Sequence, residues 1–136
     1  MSSMTLVRQH KEILDLFARI EGMAAENIAG RSFEILMKLG ELSGKVKIHL
    51  AQEDQVLYPA LLKHKEQQVR ETAQRFMQEM GGLSEAFNQF KRRYATTAAI
   101  KENPRQFLAD IKTITVALTR RIRAEEEELY PLAKGV

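Results

Sequence analysis

The segment His49-Leu50-Ala51-Gln52-Glu53-Asp54-Gln55-Val56-Leu57-Tyr58-Pro59 constrains this chain more than any other. As a helix it sets His49 and Glu53 four residues apart, so an imidazole and a carboxylate project side by side. Both continue the apolar stripe Ile35, Leu39, Leu42, Val46, whose steps of three and four residues trace one buried face. A histidine and a glutamate on such a face must be satisfied by hydrogen bonds, opposite charge or a metal. Leu-Tyr-Pro then disfavours continuation of the helix, because proline restricts the residue before it. The segment recurs: Arg121-Ile-Arg-Ala-Glu125-Glu-Glu-Glu-Leu129-Tyr130-Pro131 aligns with it position for position, Glu125 under Glu53 and Arg121 under His49.

Around this repeat the chain reads as helical throughout. It has three prolines, few β-branched runs and abundant Leu, Ala, Glu, Gln and Lys. A first helix runs from about Ser3 to Ala29 on Leu6, His10, Ile13, Phe17, Ile20 and Ala24, and Gly30 marks a break. The second begins near Ser32, read as an N-cap, and runs to about Leu57, with a short segment from Ala60 to His64 behind Pro59. The third spans about Lys65 to Ala95 on Val69, Ala73, Phe76, Met80, Leu83, Phe87, Phe90 and Tyr94. Asn103 caps the fourth with Pro104 at its first position, and its stripe is Phe107, Ile111, Ile114, Leu118, Arg121, Glu125, Leu129. The expected fold is all-α: one domain, residues 1–136, in an up-down-up-down four-helix bundle.

Composition narrows the chemistry. Without cysteine there is no disulfide, thiolate ligand or thiol nucleophile. No apolar run approaches the ~20 residues of a membrane span, so the expectation is a cytoplasmic protein without membrane contact. The net charge of +3 is mild, and the clusters Lys91-Arg92-Arg93 and Arg120-Arg121-Arg123 lack interleaved aromatics, which argues against nucleic-acid binding. There is no Glu-x-x-His, His-Glu-x-x-His, phosphate loop or nucleophile elbow, so hydrolase and nucleotide-binding roles have no support.

The two halves also match outside the repeat. Arg8-Gln9-His10-Lys-Glu-Ile13-Leu-Asp-Leu-Phe17 lines up with Gln78-Glu79-Met80-Gly-Gly-Leu83-Ser-Glu-Ala-Phe87 and pairs His10 with Met80. Helices one and two therefore repeat as three and four. A pseudo-twofold bundle brings His10, His49, Glu53, Met80, Arg121 and Glu125 to one level of the core.

The pattern His10, His49-x-x-x-Glu53-x-x-x-Leu-Tyr-Pro and Glu125-x-x-x-Leu-Tyr-Pro resembles the hemerythrin-like (HHE cation-binding) domain over nearly the whole chain. The resemblance implies a four-helix bundle holding two non-haem irons, bridged by two carboxylates and capped by histidines from all four helices. Glu53 and Glu125 match the bridging carboxylates, and His10 and His49 match the histidines of one metal. The other metal's histidines are replaced by Met80 and Arg121, and His64, the remaining histidine, lies outside the stripe.

A guanidinium keeps its charge and forks onto carboxylates, so Arg121 could take the second cation's place beside Glu53 and Glu125. Two nitrogens and two oxygens from His10, His49, Glu53 and Glu125 suit one iron(II), zinc or manganese ion. The leading expectation is a one-metal, non-haem protein that responds to a small diatomic ligand, to metal or to redox state. Two-iron dioxygen carriage is not expected. The alternative is a metal-free bundle serving as a structural or interaction module, with protonated His10 and His49 plus Arg121 balancing the carboxylates. An enzyme such as a mononuclear non-haem iron oxidase ranks third. Met80 is expected as core filler, and Gly81-Gly82 as a bend or close helix approach, at about 1 kcal/mol per glycine. The Tyr58 and Tyr130 hydroxyls are expected to reach water, and only Glu125 of the Glu125–Glu128 run to point inward.

Overall fold

The computed structural model describes residues 3–134, and these form an all-helical structure with four principal helices. The expected domain, 1–136, extends two residues beyond the description at each end. Helical hydrogen bonding is nearly continuous over Ser3–Gln52, but Asn27 leaves the helical region with φ −163° and ψ 80°. Residues 3–26 (α1) and 28–52 (α2) are therefore two helices joined by a one-residue break. Asn27 itself caps α2, its Oδ1 accepting the Gly30 N–H at 3.0 Å, as an N-cap does for the third helical amide. A Cβ at Gly30 would stand 2.4 Å from Asn27 Nδ2, so glycine makes room for the capping side chain. The break thus falls three residues before the expected one, and Ser32 is a buried residue inside α2 rather than its cap.

Helix α3 is Gln67–Arg93 and α4 is Pro104–Ala124. Asn103 caps α4 through the Gln106 amide as its sequence implies. Thr96 caps a short helix, Thr97–Glu102, in the connection to α4. Gly81 and Gly82 lie within an unbroken α3, and a Cβ at either would meet open space, so they mark neither a bend nor a close approach.

Both Glu-x-x-x-Leu-Tyr-Pro segments end their helices in the same way. Glu53–Leu57 and Glu125–Leu129 are single π turns, closed by Tyr58 N–H to the Glu53 carbonyl and Tyr130 N–H to the Glu125 carbonyl. Proline lacks the amide that a following α turn would use, and a widened turn absorbs that loss. A short helix, Tyr58–Leu62, follows the first π turn, and a 3-10 turn, Tyr130–Ala133, follows the second.

The apolar stripes pack into two clusters. The larger contains Ile13, Phe17, Ile20, Ile35, Leu42, Phe90, Phe107 and Ile111. The smaller contains Leu6, Leu57, Tyr58, Leu61, Val69, Phe76, Leu129 and Tyr130. The buried polar positions fall between them: His10 lies between Leu6 and Ile13, and Glu125 between Leu118 and Leu129. The candidate site is thereby closed by hydrocarbon at both ends.

Candidate metal centre

His10, His49, Glu53 and Glu125 come together as the residues expected. All four are buried, and one donor atom from each lies within 4.8 Å of the others. The stripes of α1, α2 and α4 deliver these side chains, with both glutamates opening a π turn.

Each imidazole is oriented by its far nitrogen. His10 Nδ1 is 2.7 Å from Glu126 Oε2, and His49 Nδ1 is 2.7 Å from Gln9 Oε1. Both partners are acceptors, so each Nδ1 carries the hydrogen. Gln9 is held in turn, its Nε2 donating to Gln52 Oε1 at 2.9 Å. The two Nε2 atoms then face each other at 3.1 Å, with His10 Nε2 also 2.9 Å from Glu125 Oε1. Neutral rings would oppose two lone pairs there. Either a proton or a cation must lie between them. Glu53 Oε1 adds a second unmet demand, being buried without a hydrogen-bond partner. Two imidazole nitrogens, two carboxylates, polar partners behind both rings and an orphaned carboxylate oxygen form a donor set that fits a divalent ion.

The electrostatics follow from burial and pairing. Burial would lower the His49 pKa, but hydrogen bonds and charge from Glu125 and Glu53 lift it to about 9. Burial raises the Glu53 carboxyl above its usual value, with the Glu125 charge adding to it against the pull of His49. Glu125 also suffers burial, yet hydrogen bonds from His10 and His49 and the Arg121 charge hold it well below the usual carboxylate range.

Arg121 and Met80 line a small cavity with His10, His49 and Glu125. Arg121 Nε donates to Glu125 Oε2 and Nη2 to Tyr58 Oη, each at 2.9 Å, while the guanidinium lies 4.7 Å over the Phe76 ring. The ion pair is with Glu125 alone. Glu53 is served instead by Tyr130, whose hydroxyl donates to Glu53 Oε2 at 2.7 Å.

Four polar groups were therefore not foreseen. The hydroxyls of Tyr58 and Tyr130 turn into the site instead of reaching water, and burial is the first cause raising both phenols well above their usual range. In an α-helix residue i+5 lies about 140° round from residue i. The π turn inserts a residue and brings Tyr130 back to within 3.1 Å of Glu125 Oε1. Glu126, assigned to the solvated face, reaches His10, and Gln9 orients His49. The one local signal for the tyrosines was the fixed proline offset after each glutamate. His64 is half-buried beyond the site, its Nδ1 accepting the Glu66 amide at 3.0 Å.

Among the described residues, an all-helical fold with a buried two-histidine, two-carboxylate cluster between apolar layers has the donor set of a helical metal-binding domain. The family model of the hemerythrin HHE cation binding domain matches residues 3–133, and the chain belongs to that family. No curated protein and no solved structure matches it.

Proposed function

We propose that this chain is a single hemerythrin-like domain, 1–136, that holds one metal ion and serves as a small-ligand, metal or redox-responsive binding protein of the cytoplasm. His10 and His49 bind through Nε2, Glu53 and Glu125 through their carboxylates. The observation that carries the reading is the pair of facing Nε2 atoms 3.1 Å apart, each made a lone-pair donor by an acceptor on its Nδ1. Non-haem iron is the favoured ion, with zinc or manganese suited to the same donors. A bound iron would supply a redox-active centre to which a small diatomic ligand could bind. The chain's own residues hold and orient the donors, exclude water through the flanking apolar layers, and donate from Tyr130 to Glu53. Arg121 and Met80 take the place of the second metal's ligands. The paired π turns and the placement of Met80 and Arg121 support an internal twofold repeat of helix pairs. The cross-helix contacts Gln9 to Gln52 and Glu12 to Lys45, with descending partner numbers, support an up-down topology.

His10→Ala tests the assignment. It should abolish tight metal binding while leaving helical circular dichroism in place. Undiminished metal affinity would remove His10 from the ligand set. A second reading, a metal-free structural or interaction module, draws on one observation: Arg121 already pairs with Glu125, and a proton on His49 completes the charge balance. In that case His10→Ala would lower the melting temperature of a protein that holds no metal in the first place.

A further inference from the structure

The stripes of α2, α3 and α4 do not close along their whole length. Val46, Met80, Leu83 and Leu118 belong to the core-facing stripes, yet all four are only half-buried. They line a cavity of about 340 Å³ between these helices, separate from the four candidate ligands. Val46, Leu50, Met80 and Leu118 also form one wall of the small cavity at His10, His49 and Glu125, so the groove ends against the site. Gly81 and Gly82, with open space beside them, narrow α3 next to Met80.

The chemistry of the rim selects the occupant. Lys47 from α2 and Lys91 from α3 are its charged members; Ser43, Ser84 and Asn88 are neutral, and no carboxylate lines it. Among the described residues neither lysine forms an ion pair, and Lys91 Nζ lies 5.6 Å over the Phe87 ring. An apolar trough under two unpaired ammonium groups complements a molecule with an aliphatic tail and a single anionic head. At roughly 30 Å³ per water-sized group, such a volume takes on the order of ten chain atoms.

We infer that this groove binds a medium-chain aliphatic carboxylate, its head between Lys47 and Lys91 and its tail running along Leu83 and Met80 toward the wall of the metal centre. This goes beyond the metal reading and does not depend on it, because none of the four candidate ligands lines the groove. Covering the half-buried side chains removes apolar surface from water, and the lysines supply the preference for an anion.

Calorimetric titration of the full chain with decanoate, decanol and decyltrimethylammonium, with and without bound zinc, tests the inference. Decanoate should bind one to one and at least tenfold more tightly than the cation, with decanol between them. Lys47→Glu with Lys91→Glu should weaken decanoate at least tenfold and leave decanol unchanged. Leu83→Trp and, separately, Ser84→Trp should fill the groove and abolish binding of both, with unaltered zinc content reporting an intact bundle. Equal affinity for anion and cation, or full decanoate affinity in a folded tryptophan variant, would overturn the proposal. Decanoate binding by a chain that takes up no zinc would sink the metal reading and leave this one standing. Zinc uptake without decanoate binding would do the opposite.

Discussion

Removing Arg121 should be among the most damaging single changes in this protein. Its side chain is 9% exposed and its partner Glu125 3%, so the pair lies largely out of water. Arg121→Ala deletes a 2.9 Å charged hydrogen bond to Glu125, the donor to Tyr58 Oη, and a cation over Phe76. Breaking a buried pair from one side costs roughly 3–5 kcal/mol, because a carboxylate is left uncompensated. An orphaned hydroxyl costs about 1–3 kcal/mol, but the two losses share one network and do not simply add. We expect about 4 kcal/mol in chelator-treated protein. With a urea slope of ~2 kcal/mol per molar, the unfolding midpoint falls by about 2 M. Arg121→Lys keeps the charge but not the fork, and should recover about half the loss. Glu125 gives the experiment a second arm. Its folded pKa lies below its unfolded value, so its contribution is present above the unfolded pKa and lost as pH falls toward the folded one. Without Arg121 the folded pKa moves up toward the unfolded one, so that loss should be smaller and complete at higher pH. A midpoint shift under 0.5 M would refute the argument, showing that Glu125 is compensated without the guanidinium.

Two further outcomes follow from the same charges. Metal-free protein should lose stability toward alkaline pH: His49 is raised to about 9, so its contribution is complete below pH 6.5 and lost as pH rises through 9. By linkage the loss approaches about 3 kcal/mol, and urea midpoints at pH 6 and pH 9.5 measure it; equal midpoints would contradict the placement of that proton. Metal-loaded protein should not show this decline, because His49 must shed the proton to ligate. Met80→His combined with Arg121→His would supply the two imidazoles absent from the second half. The double variant should bind about one more metal per chain than the parent and melt higher with iron than without. Unchanged metal content would mean that the two halves do not share the inferred register.

Much of this architecture was readable from helical periodicity. The stripes of Phe17, Ile35, Phe76 and Ile111 are buried where expected, and His10, His49, Glu53 and Glu125 converge. These features follow from spacing within a helix, which a sequence states directly. What escaped depends on departures from that spacing. The π turns rotate Tyr58 and Tyr130 into the site, where an α register points their hydroxyls away. Asn27 rather than Ser32 caps α2 because its side-chain oxygen reaches the Gly30 amide, a contact that depends on where the helix breaks. Glu126 reads as one more charge in a solvated run until α1 brings His10 within 2.7 Å. The groove at Met80 and Leu83 was invisible for a different reason. It lies between α2, α3 and α4 and depends on how the three helices pack together, which no single stripe encodes.

In the proposed centre one half of a two-metal site survives and the other is closed by Arg121. Metal content measured directly tests it: purified chain, stripped with chelator, reloaded anaerobically with iron(II), freed of excess and analysed for metal per chain. The account predicts about one equivalent, bound tightly enough to survive gel filtration, without the visible bands of a di-iron centre. Two equivalents with those bands, or none at all, would contradict it.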